Sequence, residues 1–272
     1  MLIGAMNHPM ADLGTEIDLI AKDGFDFVDL TLEPEQATPA RLDAADIRRR
    51  LAAAGLKAVG HTAYYLPLAS PIPELKEAAL SYFRRSLDFF AGVGIQLVNV
   101  HPFPKVPLYG REWQAQRQLE VLGELLALAR AAGIKLMLEN VPPLFNQVAE
   151  LKPIFNALPE LGFHLDVGHA NLGVPLNITG KLLAEFRARL MHVHLNDNLG
   201  GTEDLHLPLG AGRVNWPWVA RMLRRYGYDG TMTLEVFSPD RDYLLLSKEK
   251  WTRIWEESGA QANTFADFQQ RS

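Results

Sequence analysis

Short apolar runs alternate with amphipathic stretches eight times along this chain, and that alternation limits its fold more than any other feature. Strand-like runs fall at 2–6, 26–30, 57–61, 96–101, 135–139, 162–166, 190–195 and 231–236. Helical patterns lie between them at 14–23, 40–54, 73–92, 112–132, 147–157, 179–188, 215–226 and 241–257. Gly24, Gly55, Gly94, Gly133 and Gly227 stand where a helix should close before the next strand, and Pro39, Pro73 and Pro217 stand near helix starts. Eight strand–helix units in 272 residues, with no low-complexity linker, predict an α/β fold, a single (β/α)8 barrel over 1–258 with a C-terminal tail at 259–272. A doubly wound open sheet would carry a glycine-rich phosphate loop after its first strand, where this chain reads Met6-Asn7-His8-Pro9.

Alternate residues of a barrel strand face the interior and the helices. Strand four turns Val98 and Val100 outward with Asn99 and His101 inward, and strand five turns Leu136 and Leu138 outward with Met137 and Glu139 inward. Strand six turns Phe163 and Leu165 outward, with His164 and Asp166 inward. In strand seven Met191, Val193 and Leu195 are expected outward and His192 and His194 inward; in strand eight Thr231, Thr233 and Glu235 are inward. An interior built for stability alone would be Val, Ile and Leu. This one turns polar toward the C-terminal strand ends, where barrel active sites lie.

The last inward residues of strands three to eight are His61, His101, Glu139, Asp166, His194 and Glu235, and His169, Asp204 and His206 follow on loops. With no Cys, thiolate zinc sites, iron–sulfur clusters, disulfides and cysteine nucleophiles are all excluded. Imidazoles and carboxylates crowded at one mouth need compensating cations, and they are the ligands that Zn2+, Mn2+, Co2+ or Mg2+ accept. A divalent metal is therefore the expected cofactor. His164 and His192, one step below the mouth, read as buried hydrogen-bonding residues, and His8 as either ligand-facing or solvated.

The motifs His61-Thr-Ala-Tyr64, Val100-His101-Pro102, Leu138-Glu139-Asn140, Leu165-Asp166-Val-Gly-His169, Val193-His194-Leu-Asn-Asp197, Asp204-Leu-His206 and Leu234-Glu235 carry a resemblance. Over nearly its whole length the chain resembles the xylose-isomerase-like TIM barrels, which include sugar and sugar phosphate isomerases/epimerases and endonuclease IV. The resemblance implies that Glu139, Asp166, His194 and Glu235 hold one divalent ion. It also implies that Glu139 and Glu235 act as a catalytic acid/base pair on opposite faces of a sugar, through a metal-stabilised enediolate. His61, His101, His169, Asp204 and His206 fall where endonuclease IV completes a three-metal cluster, so one to three ions are implied. The sequence after strand two, Leu32-Glu33-Pro34-Glu35, has no basic counterpart to a DNA-gripping loop.

Two enzymatic readings follow: an isomerase or epimerase of a small sugar, keto-sugar or sugar phosphate, and a zinc-dependent phosphodiester hydrolase of abasic DNA. A catalytically silent sugar-binding barrel is the third. His169, Tyr64, Glu33 and Arg213 are the candidate substrate contacts, with Tyr64 and Tyr65 as pocket walls. Glu33 is read equally as binding a substrate hydroxyl or capping a loop. The Arg pairs at 48–50, 84–85 and 224–225 read as solvated helix faces, and Trp251 and Trp255 as one side of a helix packed on the barrel or on another subunit. Oligomer formation through the outer helices rests on the resemblance alone. The net charge of −5 argues against broad nucleic-acid binding, although a local basic patch is compatible with it. The absence of a basic-then-apolar opening segment and of any 18-residue apolar run leads to a cytoplasmic expectation with no membrane span.

Overall fold

A computed structural model describes residues 1–103 and 106–269, the last ten of these as helix backbone only. Eight parallel strands close in sequence order into one barrel: β1 (Leu2–Met6), β2 (Phe27–Leu32), β3 (Lys57–Thr62), β4 (Leu97–Val100), β5 (Lys135–Glu139), β6 (Gly162–Asp166), β7 (Leu190–Leu195) and β8 (Thr231–Leu234). The helices are α1 (Leu13–Lys22), α2 (Ala44–Ala54), α3 (Pro73–Val93), α4 (Arg111–Ala131), α5 (Val148–Ala157), α6 (Thr179–Phe186), α7 (Trp216–Arg225) and α8 (Asp242–Gln269). The expected tail, 259–272, falls on the end of α8 and on 270–272, which lie outside the described residues.

Two of the boundaries differ from the sequence reading for local reasons. The helix expected from residue 40 begins at Ala44, because the Asp43 side chain accepts from the Ala45 and Asp46 backbone N–H groups and fixes the start. The second strand runs two residues further than expected, since Thr31 and Leu32 still pair with His61 and Thr62.

The apolar outer faces of the strands pack against the helices in one continuous core. Trp251 is fully buried with its ring centroid 5.9 Å from that of Trp216, so α8 packs on α7 and closes the barrel's outside. Inside, only the N-terminal layer is hydrocarbon: Phe27, Val59 and Met137, with Leu2, Leu97 and Met191 against them. Met191 was expected outward. It turns inward because the β6–β7 register shifts: Phe163 pairs with Leu190 but His164 pairs with His192. Gly162 makes room, since a Cβ there would lie 2.4 Å from the Met191 sulfur. Above this layer every strand from β2 to β8 contributes a polar interior residue, and the mouth opens at the C-terminal ends.

Candidate active site at the barrel mouth

A cavity of ≈ 1520 Å³ opens at the mouth. His61, His101, Glu139, His169, Asp204, His206 and Glu235 all line it, as do Tyr64 and Glu33. Asp166 and His194 are fully buried just beneath. Arg213 does not reach the mouth: it lines a separate surface groove with Trp216, Lys250 and Arg253. Tyr65, expected as a second wall, is half exposed and outside the cavity lining. His8 is exposed at the cavity's edge, and its backbone N–H donates to Glu16.

Local sequence accounts for the placement of each donor. Asn140 extends the β5–β6 pairing by one side chain, accepting from the Asp166 N–H at 2.9 Å and donating to the Asp166 carbonyl at 3.0 Å. The turn after β6 then brings the His169 N–H onto Asp166 Oδ1. Gly168 lets Asn196 close over this turn, and the Asn196 amide donates to Asp166 Oδ2 at 2.8 Å. The Asn99 amide donates to Glu139 Oε2 at 2.7 Å. His206 sits at φ 44°, a left-handed conformation that costs a non-glycine residue of order 1 kcal/mol or more, so the surrounding loop holds it there.

The donors form three groups. Glu139, Asp166, His194 and Glu235 stand at the ends of four adjacent strands, with His194 Nδ1 2.9 Å from Glu235 Oε2 and 3.9 Å from Asp166 Oδ2. His61 Nε2 and His101 Nε2 meet at 3.0 Å, and His101 Nε2 lies 3.1 Å from Glu139 Oε2. His169 Nε2 and His206 Nε2 converge on Asp204 Oδ2 at 2.9 and 3.0 Å.

Their outer hydrogen bonds show what the inner atoms are suited to. The His169 Nδ1 faces the Asn140 carbonyl at 2.9 Å and the His206 Nδ1 faces the Glu235 carbonyl at 3.3 Å. A carbonyl only accepts, so each Nδ1 carries a proton. Neutral rings would then aim two lone pairs at a carboxylate oxygen, an all-acceptor triad that needs either extra protons or a cation. The Nε2 atoms of His61 and His101 also face each other, and neither ring has a partner on its Nδ1. Buried groups His61–His101–Glu139, Glu139–Asp166–His169 and the half-buried group His169–Asp204–His206 all have donor atoms close enough to share an ion. The chemistry of this donor set fits Zn2+ or a similar divalent metal.

Charge without a metal is balanced by protons. Burial opposes ionisation of Glu139, yet the neighbouring His164 and His101 rings outweigh it and hold its carboxyl well below the usual range. Glu235 is held down in the same way, by His206 and His194. Burial works against charge on His206, but Glu235 and Asp204 raise it to about 11. Asp204 falls to about 2, its hydrogen bonds from His169 and His206 outweighing burial. Burial, with Glu139 and Glu235 close by, pushes Asp166 up to about 7 against the pull of His169.

Two interior residues behave unlike the sequence reading. His192 is hydrogen-bonded as expected, to Thr231 at 2.8 Å and Thr233 at 3.0 Å. His164 is not: neither ring nitrogen has a hydrogen-bond partner, and its Nδ1 stands 3.4 Å from Glu139 Oε2. Asp29 was missed altogether. It is buried in β2, with Oδ2 2.8 Å from His194 Nε2 and from Thr233 Oγ1. Inward parity on strand two, applied as on the other strands, would have found it.

The sequence profile described as "Xylose isomerase-like TIM barrel" matches residues 17–260. The chain belongs to that family. Within the xylose isomerase-like TIM barrels its similarities run in more than one direction. An uncharacterized protein of Methanocaldococcus jannaschii is 35% identical over 61% of this chain, and the match spans 59% of that relative's own length. L-ribulose-5-phosphate 3-epimerase UlaE of Salmonella paratyphi A is 24% identical over 79% of this chain and 78% of the relative. A protein named "Probable endonuclease 4" from Aquifex aeolicus is 29% identical over 60% of this chain and 64% of the relative. Among solved structures, a D-tagatose 3-epimerase-like protein superposes with a TM-score of 0.83 at 24% identity, covering 96% of this chain and all of that one. Among the described residues no helix is long and apolar enough to cross a membrane.

Proposed function

We propose that this xylose isomerase-like barrel is a divalent-metal-dependent isomerase or epimerase of a small sugar, keto-sugar or sugar phosphate. The observation that carries it is the pair Glu139 and Glu235, two buried carboxylates lining one cavity, with Asp166 and His194 on the two strands between them. Glu139, Asp166, His194 and Glu235 would hold the ion. When bound, the ion would polarise a substrate carbonyl and its neighbouring hydroxyl and so acidify the C–H between them. One of the two glutamates takes the proton from that carbon and the other returns one, to the same carbon or its neighbour. The neighbouring imidazoles favour the ionised form, which suits whichever glutamate acts as base; its partner starts protonated and returns its own proton. The imidazole of His169, on the cavity wall, holds a substrate oxygen. Tyr64 offers a flat apolar side with a polar tip, and Glu33 an acceptor for a hydroxyl. The similarity to UlaE and to the D-tagatose 3-epimerase-like protein supports this reading.

The test is exchange of solvent deuterium into a panel of ketoses and ketose phosphates by the Zn2+-, Mn2+- or Co2+-loaded protein. Incorporation at a carbon next to the carbonyl is the expected result. Its absence across the panel, with metal bound, would sink the assignment.

A second reading has its own observation. The groups His61–His101–Glu139 and His169–Asp204–His206 exceed what a single ion needs, and they favour a multinuclear phosphodiester hydrolase acting on abasic DNA. The similarity to the Aquifex aeolicus protein supports it. Against it, the acidic groups Glu16, Glu33 and Asp240 also line the mouth, while the one arginine there among the described residues, Arg241, is paired with Asp23. Elemental analysis beside a nicking assay on abasic DNA separates the two readings: about three zinc ions with nicking would reverse their order.

A further inference from the structure

We infer that Asp29 is a positioning residue shared by two metal ligands, fixing which ring nitrogen of His194 and which of His61 faces the mouth. The inference rests on the metal reading above and concerns how this chain prepares its donors.

Asp29 sits at 1% exposure in the middle of β2, beneath the mouth, and among the described residues no Lys or Arg pairs with it. Its surroundings are instead histidines and threonine. Oδ2 lies 2.8 Å from His194 Nε2, 2.8 Å from Thr233 Oγ1 and 3.3 Å from His192 Nε2. Oδ1 has no hydrogen-bond partner and faces His61 Nδ1 at 3.7 Å.

Oδ2 accepts from the Thr233 hydroxyl, and the same acceptor oxygen puts the His194 proton on Nε2. That leaves His194 Nδ1 as the atom beside Glu235 Oε2 and Asp166 Oδ2. On the other oxygen, Oδ1 and His61 Nδ1 face each other at 3.7 Å with no other partner, an arrangement that favours the His61 proton on Nδ1 and leaves Nε2 facing His101. The two rings are stacked, with centroids 5.4 Å apart and planes at 24°. One buried carboxylate thus supports a ligand from each of two donor groups, Asp166–His194–Glu235 and His61–His101–Glu139. Outer-shell carboxylates of this kind raise ligand basicity and lock ring orientation.

The substitution Asp29→Asn separates the two halves. Its amide oxygen can keep the bonds from His194 and Thr233, whereas its NH2 then replaces Oδ1 opposite His61 Nδ1. His61 must shift its proton to Nε2 to accept from that NH2, which removes the lone pair aimed at the mouth. Zinc titrations of metal-free wild type and Asp29→Asn, read by competition with a chromophoric chelator, should therefore diverge selectively. The position that uses His61 is expected to weaken about 10–100-fold, and the position that uses His194, which keeps its acceptor but loses the carboxylate charge, to weaken clearly less. Imidazole 15N shifts of the zinc-loaded wild type should put the proton on Nδ1 of His61 and Nε2 of His194, a readout that does not depend on the variant folding. Asp29→Asn titrating like wild type, zinc lost from both positions alike, or His61 protonated on Nε2 would each overturn the inference. A wild type that binds no zinc takes the metal reading down with it; the other outcomes leave that reading standing.

Discussion

Gly168 has no space for a side chain: a Cβ would lie 1.8 Å from Asn196 Oδ1, and Asn196 in turn donates to Asp166. Gly168→Ala should displace Asn196, loosen Asp166 and lower metal content and turnover together while the barrel still folds; circular dichroism with elemental analysis checks this, and full zinc content would refute it. Glu139→Gln keeps the shape but removes the charge. Deuterium exchange should fall by about 10²–10⁴-fold, the usual worth of a general base, and activity like wild type would remove Glu139 from the proton-transfer step. At this scale the donors His61, His101, Glu139, Asp166, His194 and Glu235 were legible because inward parity and a C-terminal strand position select them together. Arg213, a candidate as the arginine after strand seven, lines a separate groove instead, because position on a long loop does not fix which side a residue takes. Asp29 is inward by the same parity on β2 but lies below the C-terminal strand end, so position does not mark it as a donor, and its contacts with His194 and Thr233 give it its meaning.

The segment between β7 and α7 is an irregular loop of some twenty residues that delivers Asp204 and His206, and it is organised around one acid. Asp197 is fully buried and accepts from the backbone N–H groups of Asn198, Gly210 and Val214 and from the Trp216 indole at 2.9 Å. A backbone pair with Leu207 closes the same loop. Asp197→Ala would leave those donors without an acceptor, at about 1–3 kcal/mol for each that water cannot reach. Urea unfolding should register a loss of about 2–5 kcal/mol, with zinc retained by Asp166, His194 and Glu235 more strongly than by Asp204 and His206. A midpoint like wild type would show that the loop does not depend on Asp197. The strands and helices themselves were legible, since period-two and period-3.6 patterns report them directly. The β6–β7 register shift that turns Met191 inward was not, because a single extra residue leaves the apolar pattern of β7 intact.

Over the whole molecule, metal and protons compete for the same donors, so the metal-free chain loses stability as pH rises and bound metal offsets that loss. In the metal-free chain burial works against charge on His169, His194 and His206, but the surrounding carboxylates raise all three, His206 to about 11. A histidine raised on folding contributes stability that is complete below its unfolded pKa of about 6.5 and fades as pH rises toward the folded value. His101, His164 and His192 are lowered mainly by burial, so they penalise the fold only below about pH 6.5 and do not offset that loss. Asp204, lowered to about 2 by its histidine partners against burial, contributes above its unfolded value and is lost only in acid. The metal-free protein should therefore melt at a progressively lower temperature from pH 6.5 to 9. A bound ion requires the imidazoles deprotonated, so each proton it displaces strengthens binding about tenfold per pH unit, or about 1.4 kcal/mol at fixed free metal. The gap between zinc-loaded and metal-free melting temperatures should consequently widen over the same range, and calorimetry in buffers of different ionisation enthalpy should register proton release on zinc binding. A gap that narrows as pH rises would mean that the mouth histidines are not the groups a metal displaces protons from.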